Sequence, residues 1–174
     1  VIPEYKEADP SLQERGLKLF TVHVRRGRPD VQDPMWNSHS KLNCVTACIQ
    51  AEKAGADEGL MLDPQGFVAT CNSTHFFIVR NGEVWTSTGA YCLDGITRQK
   101  ILDVCRANDI VALEKDFSLD HVRTADEAFV TGTFAGVTPV ISFDGVPMSE
   151  GKRGPVVARI QQLYIAFIAK TVHG

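Results

Sequence analysis

The chain of 174 residues carries 18 Lys and Arg against 21 Asp and Glu, a formal net charge of −3, with 44% apolar and 22% charged residues. That length and composition fit one globular domain with a real core, or one domain and a small piece. The acidic balance speaks against a general nucleic-acid binder. No apolar run is long enough to span a membrane, and the opening Val1-Ile2-Pro3-Glu4-Tyr5-Lys6 reads as no secretion signal.

Taken in order, residues 1–16 are polar, contain Pro3 and Pro10, and read as a linker. Residues 17–25 alternate as a strand in either register, which predicts cover on both faces. Gly27, Pro29 and Pro34 make 26–35 a loop, and a helix is expected from Leu42 to Ala54, ended by Gly55. Strands are expected at 59–63, 67–70 and 76–80, with turns at Pro64-Gln65-Gly66 and Asn81-Gly82; the latter predicts a hairpin into Val84-Trp85-Thr86. Ile101, Leu102 and Cys105 give 96–107 helical spacing. A strand at 110–113, a short helix at 118–122 and strands at 128–130 and 139–143 follow, with a turn at Asp144-Gly145. A last helix runs from Pro155 to Lys170. Interleaved strands and helices make the class α/β or mixed α+β.

Five cysteines form an odd count with no repeating spacing, which points to reduced thiols in a cytoplasmic protein. Cys44 and Cys48 lie one helical turn apart and would make half a metal site, but no second pair of ligand spacing follows, so no metal is expected. Asn72-Ser73-Thr74 matches a glycosylation sequon and is read as chance.

Two segments carry chemistry. Leu93-Asp94-Gly95-Ile96-Thr97-Arg98 opens a helix, where a glycine, free backbone N–H groups and a hydroxyl suit a phosphate. An ordinary helix start uses the same residues. Thr131-Gly132-Thr133-Phe134-Ala135-Gly136 follows a buried strand, at the strand end where ligands often sit in open sheets. A tight turn is its plain alternative.

These blocks, together with Gly55-Ala56-Asp57-Glu58, Leu62-Asp63-Pro64-Gln65-Gly66-Phe67-Val68, Phe76-Phe77-Ile78-Val79 and Val137-Thr138-Pro139-Val140, resemble the class IV aminotransferases, the fold type IV enzymes of pyridoxal 5′-phosphate. The resemblance covers about residues 12–170. It implies a pseudo-barrel sheet flanked by helices, residues 1–16 as an interdomain linker, residues 17–174 as the cofactor-binding C-terminal domain, and a smaller N-terminal domain not contained in this chain. It also implies an amino donor and a keto-acid acceptor as partners, and a homodimer with its active sites near the subunit interface.

By that resemblance, Gly95, Ile96 and Thr97 bind the cofactor phosphate, Arg98 supports the loop, and Thr133 with Phe134 closes the site from the other side. Lys41, in Lys41-Leu42-Asn43, is the candidate catalytic lysine, which carries the cofactor and moves the α-proton. An ungapped count back from Gly55 reaches Asn37 instead. A four-residue deletion, a lysine entering from a shifted position and a missing lysine all remain open. Thr70 stands where the family has the glutamate that pairs with the pyridine nitrogen, and a hydroxyl stabilises a pyridinium less than a carboxylate does. His75 replaces a family asparagine. It either orients Thr70 or a substrate, or is a half-exposed strand histidine. The leading reading is a transaminase. A lyase of the aminodeoxychorismate type and a catalytically silent assembly module stand beside it.

Overall fold

A computed structural model describes residues 9–173. In chain order the elements are α1 (Leu12–Arg15), β1 (Leu17–Thr21), α2 (Leu42–Lys53), β2 (Glu58–Leu62), β3 (Val68–Cys71), β4 (His75–Arg80), β5 (Glu83–Thr86), α3 (Ile96–Arg106), β6 (Ala112–Glu114), α4 (Leu119–Arg123), β7 (Glu127–Gly132), β8 (Gly136–Phe143), β9 (Val146–Pro147), a 3-10 turn and α5 (Pro155–His173).

The strands form one sheet in the order β3-β2-β1-β8-β7-β4-β5-β6, with β9 paired to β8. β1 runs parallel to β2 and β8, β5 runs parallel to β6, and the other pairs are antiparallel. Four strands separate β3 from β4 in that order, yet Cys71 and His75 bound a turn of only three residues. So short a link cannot cross a flat sheet at about 4.8 Å per strand, so the sheet curls until β3 comes round to β4.

The curl has an apolar inside and two covered outsides. Leu19, Leu60, Phe76, Ile78, Phe117 and Val130 belong to the inner core. Phe77, Val79, Ile101, Leu102, Phe129 and Ile160 form a second core, where α3 and α5 cover the outer face. Phe77 and Phe129 stand directly opposite across β4 and β7, with ring centroids 4.8 Å apart and planes within 6°. Burying such a side chain is worth about 2–3 kcal/mol. Val22, Met61, Ala47 and Ala51 make a third cluster, under α2. Leu19 and Phe20 thus face different cores, as the alternation in 17–25 predicts.

Several boundaries differ from the sequence expectation. β1 stops at Thr21, although Val22 N and Arg26 N still donate to Leu60 O and Leu62 O at 3.0 and 2.9 Å. β3 begins one residue late because Phe67 N donates to Asp63 Oδ1 at 2.8 Å, within the turn. Strand β8 starts at Gly136, not Pro139, and pairs with Gly132 of β7, so much of the second motif is strand, not loop. β6 begins at Ala112, because Asp109 takes a positive φ of 56° just before it. The turns at Asn81-Gly82 and Asp144-Gly145 hold φ of 50° and 80° at each pair, the backbone a two-residue hairpin needs.

Residues 1–8 of the segment read as a linker lie outside the described residues. The rest of it is anchored: Gln13 O accepts from Gln161 Nε2 at 3.0 Å and from Arg153 Nη1 at 3.4 Å. Glu127, buried at the start of β7, accepts Val156 N and Val157 N at 2.9 and 2.8 Å and so caps α5. Among the described residues, no helix is long and apolar enough to cross a membrane.

Candidate active site

A cleft of about 300 Å³ opens where the start of α2, the β3–β4 turn and the segment before α3 meet. Arg26, Asn37, Lys41, Thr70, His75 and Leu93 are among its lining residues. The curl of the sheet accounts for the grouping, because it carries β3 against β4 and both beneath the loop that leads into α2.

Lys41 stands at the N-cap of α2, exposed, with its carbonyl accepting Val45 N at 2.9 Å. Asn37, also exposed, lines the same cleft from the preceding loop. Half-buried Arg26 lines it too, fixed by donating from Nε to Tyr91 O at 2.8 Å and from Nη1 to Cys44 Sγ at 3.2 Å. Lys41 and Arg26 thus bring two cationic side chains to one cleft.

Thr70 lines the cleft from β3. Its hydroxyl is buried and donates to Thr74 O at 2.8 Å, which leaves only its lone pairs for a ligand. The turn beside it is organised by Glu58, buried at the head of β2. Glu58 Oε1 accepts from Ser73 N and Ser73 Oγ at 2.8 and 2.7 Å, and Oε2 accepts from Thr74 Oγ1 at 2.8 Å. Reading the residues alone passed over Glu58 as an organiser of this wall; the available signal was a carboxylate opening an otherwise apolar strand, since lone acids are seldom buried without partners.

The helix α3 begins beside this region. Gly95 is its N-cap and supplies no side-chain cap, and Gln99 N is the first amide bonded back to Gly95 O. The N–H groups of Ile96, Thr97 and Arg98 thus have no acceptor within the helix. Gly95 is required here by close approach, because a Cβ would overlap the His75 ring. His75 Nε2 lies 2.8 Å from Leu93 O. Burial pushes its pKa below the ordinary 6.5, aided by Arg98 and Arg26 and opposed by the Leu93 bond and Asp94. Directly across the sheet from His75 stands Thr131, whose Oγ1 is buried with no hydrogen-bond partner.

Ile96 is 73% exposed, whereas Thr97 and Arg98 are buried. Arg98 turns away from the cleft: Nη2 donates to Ser87 O and to Glu114 Oε1, both at 2.7 Å, which ties α3 to β6 and to the chain after β5. Thr133 and Phe134 are exposed and line a second cleft, of about 200 Å³, with Gln161 and Tyr164 of α5. The structure thus gathers Lys41, Thr70 and His75 in one cleft, sets Gly95, Ile96 and Thr97 beside it, and places Thr133 and Phe134 at another. Cys71 and Cys105 pack in the inner and outer cores, and burial pushes the Cys105 thiol up to about 11.

A curled mixed sheet with outer helices, and a bare helix N-terminus beside a cleft holding a lysine, define a fold type IV protein. The chain belongs to the family described as amino-transferase class IV, whose pattern matches residues 1–143. It is 36% identical over 157 residues to a branched-chain-amino-acid aminotransferase of Pseudomonas aeruginosa, covering 90% of this chain and 51% of that protein. It is 38% identical over 158 residues to a D-alanine aminotransferase of Listeria monocytogenes, covering 90% and 53%. The crystal structure of an aminotransferase from Brucella abortus bound to the cofactor PLP matches with a TM-score of 0.83 at 28% identity, over 95% of this chain and 56% of that one. The chain thus spans about half the length of these relatives.

Proposed function

We propose that this chain is the cofactor-holding part of a pyridoxal 5′-phosphate-dependent aminotransferase, which moves an amino group between an amino acid and a keto acid. The observation that carries the reading is the opening of Lys41, Thr70 and the N-terminal region of α3 onto one region of the molecule. Its support from relatives is 36–38% identity to transaminases of branched-chain and D-amino acids.

The residues present fit the cofactor at its phosphate end. Three free N–H groups at a helix N-terminus favour a dianion, and the orphaned Thr131 Oγ1 offers a further donor on the same sheet face as His75. Thr133 lines the second cleft, and in this reading the β7–β8 turn that carries it would close the phosphate site from the other side. At the ring-nitrogen end Thr70 offers lone pairs and no charge. When bound, the cofactor supplies an electron sink for the bond broken at the substrate's α-carbon. Lys41 Nζ would then serve as the base that takes the α-proton from the substrate. Arg26, fixed at the same cleft, offers a positive charge to an anionic group of the bound molecule. Leu42 (76% exposed) and Trp36 (70% exposed), both lining the cleft, suit cover by another part of the assembly.

The reading extends to a homodimer and to the cytoplasm, where thiols such as exposed Cys48 stay reduced. Reduction of the protein with borohydride in the presence of pyridoxal 5′-phosphate tests it. A single pyridoxyl group on Lys41, located by mass spectrometry, is the expected result; no specific adduct overturns catalysis by Lys41. A silent binding module is the second reading, favoured by Thr70 in place of a carboxylate, and it predicts cofactor binding without that adduct.

A further inference from the structure

His75 occupies the first position of β4, on the sheet face that α3 covers. A carbonyl can only accept a hydrogen bond, so the 2.8 Å contact with Leu93 O assigns the ring proton to Nε2. Leu93 lies two residues before the N-cap, and the same ring packs against Gly95 itself. One side chain therefore holds both the approach to α3 and its N-cap residue. Gly95 has no side chain with which to cap the helix, so the position of its free N–H groups depends on what grips the chain just before them. Burial holds the ring's pKa below the ordinary 6.5, which favours the neutral ring with a single N–H to give.

We infer that His75 is a positioning residue for a phosphate group: through Leu93 O and Gly95 it sets where the N–H groups of Ile96, Thr97 and Arg98 stand. This rests on the reading that a pyridoxal 5′-phosphate lies with its phosphate at α3. The neighbouring Thr131 hydroxyl, buried and unpartnered on the same face, marks this end of the sheet as built for a polar guest. Gln at position 75 preserves the grip, because its amide nitrogen lies as many bonds from Cα as Nε2 does. Leu fills the space but gives no hydrogen bond.

The test compares the wild-type chain with His75→Leu and His75→Gln. Equilibrium binding of pyridoxal 5′-phosphate and of pyridoxal is measured for each by absorbance and fluorescence, and thermal midpoints are taken without ligand. The readout is the ratio of the two affinities, because general damage to the cleft weakens both compounds alike. His75→Leu is expected to lower the phosphate preference about tenfold, the loss of one well-placed hydrogen-bonding interaction, and His75→Gln to keep it within about threefold of wild type. A fall of less than about fivefold in His75→Leu overturns the inference, as does a loss in His75→Gln as deep as in His75→Leu. A wild-type chain that binds both compounds equally, or neither, refutes the phosphate reading itself and the inference with it.

Discussion

Thr74 joins the two sides of the cleft wall: its hydroxyl donates to Glu58 Oε2 at 2.8 Å while its carbonyl accepts from Thr70 Oγ1 at 2.8 Å. A buried carboxylate on β2 thereby sets the position of a hydroxyl on β3 through a turn that neither strand contains. Removing the carboxylate leaves Ser73 N, Ser73 Oγ and Thr74 Oγ1 without their acceptor.

Glu58→Ala should therefore destabilise the fold by about 2 kcal/mol, the cost of removing the acceptor of three hydrogen bonds in a part-buried turn. Urea unfolding followed by far-UV circular dichroism measures it. A change below about 1 kcal/mol would mean that water replaces the carboxylate.

On the proposed reading, Lys41→Ala should lower transamination by about a thousandfold or more, since it would remove both the covalent anchor and the base. Asn37→Ala should leave the rate within about threefold of wild type. Single-turnover rates with an amino-acid donor decide between them. Equal losses would move the reactive position back towards residue 37.

Gly95→Ala forces a methyl group into the His75 ring. It should cost about 2 kcal/mol in the wild-type background, as overpacking does. In a His75→Ala background the same change should cost at least about 1 kcal/mol less. Denaturation of the four proteins closes this cycle, and strict additivity would show that the clash relaxes by another route.

The pH dependence of stability follows from His75. Its pKa is held below the ordinary 6.5, chiefly by burial. The unfolded chain therefore binds a proton more readily than the folded one. The stability from this group is fully present above about pH 6.5 and falls as the pH drops below it, down to the folded pKa. His75→Gln should flatten that part of the stability curve, measured by urea melts between about pH 7 and pH 5.

Much of the local structure was legible in the residues. The Asn81-Gly82 and Asp144-Gly145 turns, the helical spacing of Ile101, Leu102 and Cys105, and Pro155 at the start of the last helix each carry a short-range physical signal. Element ends were less legible: Phe67 N is taken by the Asp63 side chain inside its own turn, and Thr21 N by Asp144, 123 residues away.

By itself the sequence determined the interleaved class and the family, through the order of the Leu93–Arg98 and Thr131–Gly136 segments. Tertiary structure alone decided which residues meet. Four strands lie between β3 and β4 in the sheet, and only its curl brings Thr70 and His75 to the same cleft as Lys41. It also decided that Arg98 turns inward to Ser87 and Glu114, and that Glu58 is an organiser instead of a surface acid. Such roles depend on burial and on partners 11 to 16 residues away, and no pattern of neighbouring residues encodes them.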